Sequence, residues 1–246
     1  MPIRIGIAGW SIPRQHAEVF PAEGSHLARY AQVFSCVEIN SSFYRPHRPA
    51  TYQRWARATP EYFRFSVKAP KAITHQSALA PTRVQLEDFL DEARHLADRL
   101  GPILFQFPPR QNFDATQVRA FFALFRDLYP DGDAVVEPRH AEWFGPEADE
   151  ILEQFQLLRV FADPRPTPSA KIPFRYGNLV YHRLHGSPRI YYSSYAAEYL
   201  ETLAATLAAY PPATEVWCIF DNTALGAAIE NALALIQSIQ RIGQPE

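Results

Sequence analysis

The feature that most constrains this chain is a repeated alternation between short apolar runs of β type and longer amphipathic stretches. The runs lie at residues 4–10, 36–43, 64–69, 103–107, 133–137, 159–162, 179–184 and 215–220. Each is rich in Val, Ile, Phe or Tyr and is bounded by Gly, Pro, Asn or Asp. Alternating strands and helices imply parallel strands joined by crossover helices. Eight of them predict an α/β fold, a (β/α)8 TIM-type barrel, in which closure removes exposed strand edges. The 246 residues match the length of one such barrel, so residues 1–246 are expected to form a single domain. An open doubly wound sheet is the alternative, but Gly6-Ile7-Ala8-Gly9 is not a dinucleotide-binding loop.

Helical periodicity fills most gaps. Residues 86–100 repeat Leu86, Phe89, Leu90, Ala93, Leu96, Ala97 and Leu100, and Gly101-Pro102 reads as the helix stop. Residues 115–129, 194–210 and 225–242 also read as helices, with shorter ones at 27–34, 52–58 and 147–155. After Asp163 the chain runs Pro164-Arg165-Pro166-Thr167-Pro168, with Pro173 following. That proline density predicts a rigid extended loop in place of the sixth helix.

Composition narrows function. Apolar residues make up 47% of the chain, enough for a large core, and the net charge is −2. No basic stripe points to nucleic acid. No apolar run suits a membrane span, and residues 3–8 enter a strand without a signal-peptide pattern, so a cytoplasmic location is expected. Cys36 and Cys218 lie in apolar strand-like runs and read as buried reduced thiols. No motif requires a cofactor.

The informative signal is polar residues inside strands. Side chains alternate faces along a strand, so Glu38 and Asn40 are expected to point to the barrel axis, opposite Val37 and Ile39. Glu137 shares a face with Arg139, and Arg183 with His185. Lys68, Gln106, Asp163 and Asn222 also fall at or near C-terminal strand ends, where barrels of this type build active sites. Asp221 is expected to point opposite to Asn222. So many charges are a costly way to fill a core, which favours a ligand site over a self-neutralising network of Lys68, Arg139 and Arg183 with Glu38, Glu137 and Asp163.

Three chemistries fit. Arg139 and Arg183 could grip an anion bidentately with Lys68 adding a point charge, while the loops after Arg183 and Asp221 supply backbone N–H groups. Glu137, Asp163 and His185 could ligate a divalent metal, although the neighbouring arginines compete for the carboxylates. Lys68 with Glu38 or Glu137 could serve acid/base or Schiff-base catalysis. Trp10, Phe43, Tyr44, Tyr191, Tyr192 and Tyr195 could wall the mouth for a nucleotide or sugar.

These residues resemble the YecE-like family, domain of unknown function 72. The resemblance is carried by Gly9-Trp10-Ser11, by Val37-Glu38-Ile39-Asn40-Ser41-Ser42-Phe43-Tyr44, and by Lys68 with Ile73-Thr74-His75. It continues through Leu104-Phe105-Gln106-Phe107-Pro108-Pro109, Glu137-Pro138-Arg139-His140 with Trp143, Arg183-Leu184-His185-Gly186, and Asp221-Asn222 followed by Gly226 and Asn231-Ala232. It implies a TIM-type barrel and supplies no reaction. Pro138 stands where the family often has Phe, Asp221-Asn222 where Asn-Asn is common, and the usual Trp-Gly is absent near residues 15–19.

The sequence therefore predicts an enzyme acting on a small anionic ligand, a phosphorylated or carboxylated sugar or a nucleotide. Glu38, Lys68 and Glu137 are the catalytic candidates. Asn40, Tyr44, Gln106, Arg139, His140, Asp163, Arg183, His185 and Asn222 are the ligand-binding candidates. The alternatives are a non-catalytic barrel that senses a ligand or binds a macromolecule, and a metal-dependent isomerase or hydrolase.

Overall fold

The computed structural model describes residues 3–76, 79–80, 82–167 and 178–243. Every strand pairing among them is parallel. The strands are β1 (Ile3–Ile7), β2 (Cys36–Ile39), β3 (Arg64–Lys68), β4 (Leu100–Gln106), β5 (Ala134–Glu137), β6 (Leu158–Arg159), β7 (Phe161–Asp163), β8 (Leu179–Leu184) and β9 (Glu215–Phe220). They form two parallel sheets, ordered β1-β9-β8-β7 and β2-β3-β4-β5-β6. A parallel bridge between Ala8 and Glu38 links β1 to β2. The sixth apolar run is split, so that β6 pairs with β5 and β7 with β8. The sheets are consistent with a barrel-like α/β fold.

The helices are α1 (His26–Tyr30), α2 (Pro49–Arg57), α3 (Lys71–Thr74), α4 (Arg83–Arg94), α5 (Ala115–Leu128), α6 (Pro146–Gln154), α7 (Ala197–Ala208) and α8 (Ala227–Ile242). Local chemistry sets their starts. Thr82 and Gln85 form a reciprocal capping box on α4, and Asp114 accepts the Gln117 N–H on α5. On α5, Phe121, Phe122 and Phe125 recur on one face and meet Phe105 of β4 at centroid separations of 5.3, 6.0 and 4.9 Å. Burying each such ring contributes about 1.5–3 kcal/mol. None of the described helices is long and apolar enough to cross a membrane.

Two expectations change. The helix predicted over 86–100 ends at Arg94, and Leu100, Gly101 and Pro102 lie within β4. Its periodicity continues past the true end, but Ala97 adopts φ +48° and breaks the helix. Gly101 is not a helix stop: a Cβ there would sit 2.6 Å from the Trp217 ring, so the position needs glycine for packing. Beyond β7, residues 164–167 are non-helical, as their prolines require. Pro168 and Pro173, the rest of the predicted loop, lie outside the described residues.

The two faces of the strands pack separately. One face joins the helices in a large core that includes Ile5, Ile39, Phe65, Phe105, Val136, Leu184 and Phe220. The other buries Cys36, Leu104, Val135, Leu158, Val160, Tyr181, Trp217 and Ile219 against one another. Charged side chains cap this inner layer at its C-terminal end.

Candidate functional site

Alternation along β8 puts Tyr181 and Arg183 on the inner face, and Arg183 is fully buried. Its guanidinium holds Glu38 of β2 through Nε (2.8 Å) and Nη2 (2.6 Å), a bidentate pair. Nη1 donates to Glu137 Oε2 of β5 at 2.8 Å, and Nη2 lies 3.1 Å from Asp221 Oδ2. His185, two residues on, sits between carboxylates, with Nδ1 3.0 Å from Asp221 Oδ2 and Nε2 2.8 Å from Glu137 Oε1. Arg139 pairs with Glu137 and also contacts His185 Nε2. Tyr181 donates its hydroxyl hydrogen toward Glu38 Oε2 and Ser66 Oγ, each at 3.0 Å. Residues from β2, β3, β5, β8 and β9 thus meet in one buried network.

Electrostatics follow from that packing. Burial alone would raise the Glu137 carboxyl, but Arg139, His185 and Arg183 together hold it well below the usual range. Burial would likewise raise Asp221, and Arg183, His185 and Lys68 reverse the effect. Burial disfavours the Arg183 cation, yet Glu38, Asp221 and Glu137 hold its proton more tightly than in a free side chain.

The predicted residues divide. Glu38, Glu137, Arg139, Arg183 and His185 are brought together. Gln106 lies beside Glu137 in register at the end of β4. Asn40, just beyond β2, has turned to a helical backbone (φ −93°, ψ −17°), so strand alternation does not reach it; its Oδ1 is buried without a partner. Tyr44 projects into solvent at 78% exposure. His140 caps the 3-10 turn at residues 141–144, accepting the Glu142 N–H. Asp163 does not join the network. It lies in register with outward-facing Leu184 and accepts a hydrogen bond from Tyr195 Oη at 2.9 Å. The three proposed metal ligands, Glu137, Asp163 and His185, therefore do not converge, and among the described residues no group of three or more such side chains is arranged to hold a metal.

Asp221 and Asn222 exchange the expected places. Asp221 enters the network, whereas Asn222 turns away and donates to Ser193 O (2.9 Å) and Asn231 Oδ1 (2.8 Å). The alternation of β9 carries the missed signal: Trp217, Ile219 and Asp221 share the inner face, while Cys218, Phe220 and Asn222 share the outer. Tyr181, also missed, shares the parity of Arg183.

The anion grip predicted for Arg183 and the late loops is not free. Every nitrogen of Arg183 is engaged by a carboxylate. The Gly186, Ala224 and Gly226 N–H groups donate to Tyr195 Oη, Tyr191 O and Thr223 O. Of Lys68, Arg139 and Arg183, the cation left without an ion pair among the described residues is Lys68, at the end of β3. Its Nζ lies 4.2 Å from the centre of the Phe43 ring, and it makes no ion pair or hydrogen bond from that nitrogen among the described residues. Burial and the Arg183 charge, partly offset by Glu38 and Asp221, lower its pKa to about 8. His75 packs edge-on to the same Phe43 ring at 4.9 Å and is lowered to about 4 by burial and by Lys68, Arg110 and Lys71. Lys68, Lys71 and Arg110 thus place positive charge around a neutral His75 beside the network.

A family model described as "Protein of unknown function DUF72" matches residues 4–245. The chain belongs to the DUF72 family. This DUF72 chain is 31% identical over 174 residues to the UPF0759 protein YecE of Escherichia coli strain K12, covering 69% of this chain and 62% of YecE. It is 31% identical over 154 residues to the UPF0759 protein YunF of Bacillus subtilis strain 168, covering 58% and 53%. The matches thus span less than two thirds of these curated relatives. Among solved structures, a DUF72 family protein of Enterococcus faecalis superposes with a TM-score of 0.81 at 24% identity, covering 97% of this chain and 96% of the other. One from Thermotoga maritima gives 0.77 at 25% identity, covering 98% and 100%.

Proposed function

We propose that this DUF72 chain is an enzyme acting on a small anionic ligand, a phosphorylated or carboxylated sugar or a nucleotide, at the C-terminal ends of its strands. The sheets are read as two halves of one closed (β/α)8 barrel over residues 1–246. The Ala8–Glu38 bridge at one seam and the shared run of β6 and β7 at the other support closure. The observation that carries the functional reading is an interlocked charge network beside a buried lysine that has no ion pair among the described residues.

Glu38, Arg183 and Asp221 are the frame in this reading: their mutual contacts lock the inner face. Lys68 receives the ligand, with Lys71 and Arg110 adding positive charge at the rim. Glu137 and His185 lie at the boundary of frame and ligand, where a proton can pass between imidazole and carboxylate across 2.8 Å.

The test is a thermal-shift screen of the purified chain against inorganic phosphate, phosphosugars, nucleotides and carboxylic acids. A ligand at 100 times its Kd stabilises the fold by about 2.7 kcal/mol, which such a screen detects. The expected hit disappears in Lys68→Met and persists in Arg119→Ala, a surface change at a side chain that contacts Gln154. A hit unaffected by Lys68→Met would remove the lysine from the site. No hit in any class would remove the small-anion reading.

A further inference from the structure

Of the 24 basic side chains apart from histidine, three are lysines: Lys68, Lys71 and Lys171. Arginine does the structural work elsewhere. Every described ion pair not involving histidine takes its cation from arginine, at Arg4, Arg83, Arg94, Arg139, Arg159, Arg183 and Arg241. The chemical difference between the two residues is decisive here. A guanidinium stays protonated in proteins, whereas a lysine amine can shed its proton and become a nucleophile. In a chain that otherwise builds its charges from arginine, one of the few lysines stands at the inner mouth of the site.

We infer that Lys68 is an amine nucleophile that condenses with the carbonyl group of a small phosphorylated or carboxylated aldehyde or ketone, whose anionic end is received by Lys71 and Arg110. The inference rests on the small-anion reading above and names its substrate class.

Geometry meets the needs of that step. Lys68 follows inward-facing Ser66 on β3 and lies in register with Leu104 of the inner layer, so its side chain rises toward the network. The residue keeps 7% of its surface exposed at the end of β3. Phe43 covers one side of the amine, and among the described residues no carboxylate binds it directly. The charged groups that act on it are Arg183, Glu38, Asp221 and Glu137 in the network, while His75 across Phe43 is held neutral, in part by Lys68 itself. Arg183 occupies those carboxylates, which would otherwise keep Lys68 protonated. With a pKa of about 8, roughly a tenth of the amine is neutral at pH 7, against under about one part in a thousand for a free lysine.

The step balances without an outside reagent. The Nζ lone pair bonds to the carbonyl carbon, and the C=O π pair moves to oxygen, which takes up a proton as the nitrogen loses one. The resulting carbinolamine loses its oxygen as water, which carries away the two hydrogens of the neutral amine. A C=N bond replaces C=O.

The experiment traps that bond. The full chain is incubated with sodium cyanoborohydride and, in separate reactions, with dihydroxyacetone phosphate, pyruvate or uncharged dihydroxyacetone. Hydride from the borohydride reduces the imine carbon, and peptide mass spectrometry locates the adduct. The expected result is an adduct on Lys68 at least tenfold above Lys71 and Lys171, with a charged carbonyl preferred over the uncharged one. Its yield should rise with pH through about 8. Comparing three lysines within the wild-type molecule requires no variant to fold; Lys68→Arg and Lys68→Met should abolish the selective signal. Equal labelling of the three lysines overturns the inference. Stabilisation by these compounds with no adduct on Lys68 also overturns it, while leaving the small-anion reading intact. Absence of both stabilisation and adduct, with no hit in the wider screen, removes the two together.

Discussion

Replacing Arg183 with Met retains a long unbranched side chain and removes the cation that joins three strands. In the native fold this guanidinium contacts Glu38 at 2.8 and 2.6 Å, Glu137 at 2.8 Å and Asp221 at 3.1 Å. All four residues are buried. Removing one partner of a buried ion pair costs about 3–5 kcal/mol, because the other charge is left without compensation. Arg139 still faces Glu137, and Lys68 still acts on Asp221, so the loss should stay within that range rather than multiply by three. In a chain of this size it lowers Tm by roughly 6–20 °C. Urea unfolding followed by tryptophan fluorescence measures the loss, since buried Trp217 stacks on Tyr181 beside the network. The deficit should shrink as pH falls from 7 toward 4, because protonation neutralises the stranded carboxylates. A loss below about 1 kcal/mol at pH 7 would mean that the network is solvated and replaceable, and the frame role of Arg183 would fall.

Further outcomes follow from other parts of the fold. Glu137 and Asp221 have depressed folded pKa values, so their contribution is present above the unfolded carboxylate range near 4 and is lost as pH falls through the lower folded values. Urea midpoints of Glu137→Gln between pH 5 and 2 should therefore vary less steeply than wild type; parallel curves would contradict the assignment. Buried His182, stacked on Phe161 at 4.6 Å, has a pKa lowered to about 4. Because the unfolded imidazole takes a proton near 6.5, stability should fall by up to about 1.4 kcal/mol per pH unit between 6.5 and 4, and NMR should show this ring titrating near 4. A Cβ at Gly6 would lie 2.2 Å from the Cys36 carbonyl oxygen, a backbone atom. Gly6→Ala should cost about 1–3 kcal/mol or more, and an unchanged urea midpoint would refute this packing. Burial raises both thiols, so Ellman's reagent should label Cys36 and Cys218 only after denaturation.

Strand and helix periodicity, read from local patterns, located the strand runs and most helices. It also singled out Glu38, Glu137, Arg183 and His185, because a charge at an inner-face strand position is conspicuous against branched apolar neighbours. Identity of the cluster was thus written in residue order and parity. The same parity would have turned Asp221 inward and Asn222 outward, had it been followed two residues past β9. Asp163 shows where local patterning stops: its position at a strand end is plain, but its face depends on its register with Leu184 across β7 and β8. Register also decided that Leu100 and Gly101 belong to a strand, since Trp217, more than a hundred residues away, needs the space beside Gly101. Most of all, tertiary structure determined which charges are spent. Sequence lists Lys68, Arg139 and Arg183 as equivalent cations. Only their distances to the carboxylates separate a guanidinium saturated by three acids from an amine left with an aromatic ring, because Coulombic and hydrogen-bond energies depend on geometry that chain order does not encode.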